Sequence, residues 1–242
     1  MENKADVLVV LDNEMVYGLR NGFYPDYRDV QDCQVISIDE FHAQEIKAPS
    51  PALDGNDVYM RNPYTKDVFI SIIDDDIEKK MISGRAYAVR EALVMMGAKS
   101  ISLEENISDT DSSQASVGVL GKYAGVKGSV NVDYEKSISL TLKHVIESHD
   151  ESRQPRPVDE VWEYLRTHNL MTEDNLVHFA ERLKRDGYLG GEETVRITFC
   201  SEIKSALNIL SSLNYKVFSS KIDVESKKAS IHTVEKILKV TF

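Results

Sequence analysis

An alternation of apolar and polar side chains over residues 130–146 constrains the fold of this chain more than any other feature. Seven of the nine even-numbered positions are apolar, against one of the eight odd-numbered positions. A period of two is typical of a β-strand that buries one face. We expect the following apolar side chains to share the buried or partner-facing side of that strand: Val130, Val132, Tyr134, Ile138, Leu140 and Leu142.

The length of this alternation is unusual. Seventeen residues span roughly 55 Å at about 3.3 Å per residue, whereas most strands have about 3–10 residues. The strand is therefore either long and bent or divided by a break. Upstream, valine and leucine alternate with Gly118, Gly121 and Gly125, and Lys127-Gly128 is suited to a turn. The simplest interpretation is a long β-hairpin over about residues 114–146.

Shorter patterns predict the other elements. We expect strands at 7–11, 35–38, 58–61, 68–73 and 99–104, and a helix over 77–96 that Asp74–Asp76 cap and Gly97 ends. Two helices at 158–168 and 173–186, the latter capped by Thr172, precede a strand at 194–199. A helix at 203–213 and a hairpin of 217–225 with 229–242, turning at 226–228, complete the chain.

These elements predict an α+β fold with a mainly antiparallel, bent sheet, long hairpins and a cover of helices. The proline-rich break at 153–157 divides the sequence into an N-terminal α+β region, 1–152, and a C-terminal region, 153–242. The C-terminal region combines the helical hairpin with the C-terminal β-hairpin. The sequence leaves open whether these regions are two domains or two layers of one.

Composition excludes several classes of protein. Forty acidic and 29 basic residues give a net charge of −11, which disfavours a surface that follows nucleic-acid phosphates. No apolar run reaches the roughly 18 residues of a spanning helix. The two cysteines match no metal-binding spacing, and the first residues do not resemble a signal peptide. We therefore expect a cytoplasmic protein, membrane-associated only when activated.

Few residues suggest chemistry. Asp12 and Glu14 follow a buried strand, where carboxylates can bind a cation, and with Asp74–Asp76 they would suit a metal-dependent phosphoesterase or nuclease. Capping and turn formation explain the same acids, and we favour that interpretation. The sequence has no motif of a serine hydrolase, a P-loop or a dinucleotide-binding protein. We predict no catalytic residue and no cofactor, and we expect Cys200 to be a buried thiol.

The segment from Val158 to Tyr188 ends in Arg182-Leu183-Lys184-Arg185-Asp186-Gly187-Tyr188. It resembles a winged-helix element, in which a basic helix precedes a wing. That resemblance implies a nucleic-acid-binding module. Acidic residues on the same helix would repel phosphates, so we expect no nucleic-acid partner.

The long hairpin suggests the main functional hypothesis. Membrane-inserting β-hairpins need about 9–11 alternating residues per strand, and residues 130–142 meet that length. In element order the chain resembles the gasdermin and membrane-attack-complex pore-formers, which cover bent sheets with helices. We predict a non-enzymatic assembly or partner-binding protein that acts through this hairpin. It would either add a strand to a partner or a second copy, or perforate a membrane as an oligomer.

Overall fold

The computed structural model describes residues 5–25, 27, 29–51, 56–65, 68–104, 139–140, 142–213, 224, 227–228, 231 and 234–242. Helices and strands are both present, so the α+β class is confirmed. The chain forms two compact units, Met1–Met81 with Thr198–Val234 and Ile82–Ile197 with Glu235–Phe242. The break predicted at 153–157 lies within the second unit, and the predicted division into domains stays a prediction.

The first unit contains a four-stranded sheet. Its strands are β1 (Val7–Leu11), β2 (Cys33–Ser37), β3 (Asp57–Arg61) and β4 (Phe69–Ser71), in the order β2-β1-β3-β4. The pairing of β1 with β2 is parallel, whereas β3 is antiparallel to β1 and β4. All five residues of β1 are buried, as their uninterrupted apolar sequence predicts.

Local capping positions the helices of this unit. The carboxylate of Asp12 accepts a hydrogen bond from the Met15 N–H and begins α1 (Asn13–Arg20). A capping box of Ser37 and Glu40 begins α2 (Ile38–Ala43). One side of the sheet packs its core around Leu8, Val10, Ile36, Phe41, Tyr59 and Phe69.

The second unit combines helices with another four-stranded sheet. Its helices are α3 (Ile77–Met95), which begins in the first unit, α4 (Val158–Thr167) and α5 (Asp174–Asp186). The strands are β5 (Ser100–Leu103), β6 (Ser148–His149), β7 (Glu192–Phe199) and β8 (Val234–Thr241), in the order β6-β5-β8-β7. The last strand of the chain thus lies between β5 and β7, and the helices α4 and α5 pack against each other as predicted.

The structure corrects the end of the long predicted strand. Residues 139–140 and 142–146 are helical, and the Glu147 N–H donates to the Lys143 carbonyl four residues earlier. Leu142 and Ile146 are fully buried, whereas Leu140 is 61% exposed. Alternation at every second position also places apolar residues four apart, so Leu142 and Ile146 share one helical face. The rest of the predicted hairpin lies outside the described residues.

The predicted C-terminal hairpin is also corrected where it is described. The prediction places residue 224 in the first strand of this hairpin and residues 227–228 at its turn. The structure shows all three residues as helical. The helix of the first unit that follows β7, α6 (Ser201–Ser212), agrees with the prediction for 203–213. The final strand β8 has β5 and β7 as its neighbours, and the rest of the predicted segment 217–225 lies outside the described residues. Within the part of the chain that the structure describes, no helix is long and apolar enough to cross a membrane.

Candidate functional site

The side chains of α5 divide into a buried and a solvent-facing set. Leu176, Phe179, Ala180 and Leu183 are buried at three- and four-residue spacing. Gly187 ends the helix with a φ of 78°, and the next residue, Tyr188, is 69% exposed. We define the α5 surface as the solvent-facing residues of the helix together with this tyrosine: Asp174, His178, Glu181, Lys184, Arg185, Asp186 and Tyr188.

The charges of α5, β7 and β8 balance. These elements contain six acidic and six basic residues, three of each on α5 itself. Four of the six cations form ion pairs, which are Arg182 with Glu193, Arg185 with Asp186, Arg196 with Glu235, and Lys239 with Glu104, the residue after β5.

These ion pairs change what the surface is able to bind. Both guanidinium contacts of Arg185 reach the Asp186 carboxylate, at 2.8 and 2.9 Å, and the hydrogen bond from Arg185 lowers the pKa of that carboxyl. A phosphate would have to compete with a neighbouring carboxylate for this cation. Nucleic-acid binding depends on unpaired Lys and Arg side chains that neutralise phosphates and release the counterions condensed on them, so the α5 surface is poorly suited to a phosphate backbone.

The structure does not place the candidate metal ligands Asp12 and Glu14 in a metal-binding group of the described residues. Asp12 is the N-cap of α1, and its Oδ1 lies 2.8 Å from the Met15 nitrogen. Glu14 lies in the first turn of α1 and is exposed. Across the described residues, no group of three or more His, Cys, Asp or Glu side chains is placed to hold a metal ion. Asp74 also caps a turn, accepting from the Asp76 N–H at 2.9 Å before α3.

The predicted hairpin residues have mixed outcomes. Val130, Val132, Tyr134 and Ile138 lie outside the described residues. Leu140 and Leu142 are described, and the helix places them in different environments, the first exposed and the second buried. The roles predicted for these side chains in assembly or membrane insertion stay predictions.

Two further residues are relevant to the candidate site, a buried cysteine and an exposed tyrosine. Cys200 is buried, as expected for a structural thiol. Tyr188 was not singled out by sequence reasoning, and no local signal marks it as exposed. A residue that follows a helix-ending glycine often packs back on the helix, so only the structure shows that this side chain is in solvent.

Comparison of the sequence with protein-family models and with curated proteins, and of the structure with solved structures, finds no match.

Proposed function

We propose that this chain is a non-enzymatic recognition protein whose second unit is a winged-helix module that binds a protein partner through the α5 surface. The order of elements supports the module: α3, β5, α4, α5, β7 and β8 occur in this order along the chain, with β8 between β5 and β7 in the sheet. The helical residues 139–140 and 142–146 and β6 are inserted between β5 and α4, and α6 is inserted between β7 and β8. In a winged helix the second helix of the helical pair is the recognition helix, which here is α5. A fold does not fix the ligand, so the partner is argued from the surface.

The charge balance of α5, β7 and β8 is the observation that carries the proposal. A nucleic-acid surface has an excess of unpaired Lys and Arg, whereas this one has equal numbers of both charges and most of its cations in ion pairs. Mixed charges around an exposed tyrosine are typical of a protein-binding surface, where an aromatic anchor is ringed by polar groups. Tyr188 supplies that anchor.

The test begins with a photo-crosslinking amino acid in place of His178, in the full-length protein inside its source cells. The partner captured by the crosslink is then identified and purified, and its affinity for the wild-type protein and the variants is measured by calorimetry. We expect Tyr188→Ala to weaken binding at least about tenfold. Tyr17→Ala is the matched control, because Tyr17 is 64% exposed and lies in the first unit; its affinity should equal that of the wild type.

A second arm tests the alternative that the α5 surface binds nucleic acid. Fluorescence anisotropy with a 30-base-pair DNA duplex and with single-stranded RNA is measured at low salt. We expect no saturable binding at micromolar protein. Saturable binding that falls steeply with salt and is lost on replacing Lys184 and Arg185 with alanine would make nucleic acid the ligand and refute the proposal.

A further inference from the structure

A groove opens between α1 and β2 in the first unit. Its volume is about 590 Å³, within the range of ligand-binding pockets. Val16 and Leu19 of α1 and Val35 of β2 form its apolar part, and Tyr27 and Asp29 contribute polar groups. We call this feature the β2 groove.

The groove lies beside an edge strand with one open backbone position. The Val7 N–H donates to the Asp32 carbonyl at 3.0 Å, and Val7 lies opposite Cys33 in the parallel register. This register turns the backbone groups of Gln34 and Ile36 toward β1. The N–H and C=O of Val35 therefore face away from β1, and no backbone group within the described ranges bonds to them.

The outward-facing N–H groups on either side of Val35, those of Cys33 and Ser37, are already hydrogen-bonded. The Cys33 N–H donates to the Val30 carbonyl at 3.2 Å, and the Ser37 N–H donates to Oε2 of Glu40 at 3.0 Å. Among the outward-facing positions 33, 35 and 37, only Val35 has an N–H left open by the described residues, which is too little to template aggregation. Val35 offers the two hydrogen bonds that fix the register of one added segment, one donated by its N–H and one accepted by its carbonyl.

The polar rim of the groove is acidic. Arg20 is already bound to Glu40 by two hydrogen bonds, at 2.7 and 2.9 Å. The Asp29 carboxylate accepts the Tyr27 hydroxyl at 2.8 Å, and among the residues that are described no cation forms an ion pair with it. Burial raises the pKa of Cys33 to about 12, with a smaller contribution from the charge of Asp29. The thiol is therefore uncharged at physiological pH and lines the groove as a neutral group.

We propose that the β2 groove binds an extended, basic segment of a protein partner by strand addition. The segment forms two backbone hydrogen bonds with Val35 and places a large apolar side chain against Val16 and Leu19. A lysine or arginine of the same segment pairs with Asp29. The main-chain bonds give affinity, and the pocket and the carboxylate give specificity. This proposal is independent of the α5 surface, which belongs to the other unit.

The probe is a phage-displayed library of random linear dodecapeptides, selected on the full-length protein. We expect the selected peptides to contain a lysine or arginine near a large apolar residue and to bind with micromolar Kd. Hydrogen exchange of the Val35 amide should slow at least tenfold in the complex. Asp29→Lys should weaken binding at least tenfold, whereas Glu14→Lys, the same charge change at an exposed position outside the groove, should leave it unchanged.

A second variant tests the backbone contact. Val35→Pro removes the outward N–H, a change that an edge strand tolerates, and circular dichroism checks that the sheet is retained. We expect this variant to lose peptide binding. Three outcomes overturn the proposal: no binding peptide is selected, the selected peptides bind Val35→Pro as well as wild type, or they bind without slowing exchange at Val35. The last result would indicate a helical or side-chain-only ligand.

Discussion

Gly97 shows how a single residue fixes the end of an element. Its φ of 93° is in the left-handed region, and a Cβ added there would lie 3.1 Å from the Pro155 nitrogen. The Ala98 N–H donates to the Leu93 carbonyl, which closes the turn after α3. The glycine is therefore required both by the backbone conformation and by the close approach of the proline.

We expect Gly97→Ala to destabilise the protein by about 2 kcal/mol, because strain and contact with Pro155 add. Urea unfolding measures the change. Gly187→Ala is the control, since Gly187 has a similar φ of 78° but no heavy atom within 4 Å of an added Cβ. Its cost should be near 1 kcal/mol, from backbone strain alone. Equal losses for both variants would show that Pro155 contributes nothing.

Arg85 and Glu173 form an ion pair that joins α3 to the start of α5. Their side chains are 9% and 12% exposed, and Glu173 is the N-cap residue of α5. The sequence predicts Thr172 as the cap of this helix, but Glu173 takes the position and its carboxylate binds the arginine. A contact between residues 88 positions apart has no local sequence signal.

At the scale of elements, the apolar pattern near residues 140–146 fits both the two-residue period of a strand and the 3.6-residue period of a helix. Leu140 and Leu142 fall on one side of a strand but on different faces of a helix. The structure forms a helix here. Leu142 and Ile146, four residues apart, are buried together, whereas Leu140 is exposed to solvent. Tertiary packing decides between the two periods because the local pattern permits both.

The helix predicts different costs for two similar substitutions. Leu142→Ala should cost about 2–5 kcal/mol, because it leaves a cavity in a packed core. Leu140→Ala should change stability by less than about 0.5 kcal/mol. Urea unfolding monitored by circular dichroism compares the two. A large loss for both variants would favour the strand, in which both side chains share the buried face.

At the scale of the whole molecule, paired carboxylates link stability to pH. The hydrogen bond from Arg20 lowers the pKa of Glu40, and the hydrogen bond from Lys80 lowers that of Asp74. A carboxyl with a lowered pKa in the folded state stabilises the protein above its ordinary pKa, and this stabilisation is lost as pH falls through the lowered value. Burial raises the pKa of Asp6, which acts in the opposite direction.

We therefore expect the urea midpoint to fall between pH 6 and pH 3. The comparison variant is Arg20→Gln, which should be less stable at pH 7 by under about 1 kcal/mol, because the ion pair is partly exposed. The difference from wild type should shrink at pH 3 and disappear once the pH is below the lowered pKa of Glu40, where the carboxyl is protonated in both proteins. If the difference is the same at pH 3 as at pH 7, the pair is not the source of the pH dependence.

The amino-acid sequence alone determines the elements whose signals are local. The continuous apolar run of β1, the capping acids before α3, and the amphipathic period of α5 predict these elements within a few residues, whereas the sequence analysis predicts neither α1 nor α2. Their physical causes act over one or two turns of chain, so neighbouring residues carry the information.

Only the tertiary structure decides the features that depend on distant residues. Three features join segments far apart in sequence: the position of β8 between β5 and β7, the pairing of β1 with β2 that leaves Val35 at the sheet edge, and the ion pairs of Arg196 with Glu235 and Lys239 with Glu104. Sheet order and charge pairing follow from which faces are buried together, and that choice is made by the whole fold. The two proposed binding surfaces therefore emerge from the structure, although every residue in them is printed in the sequence.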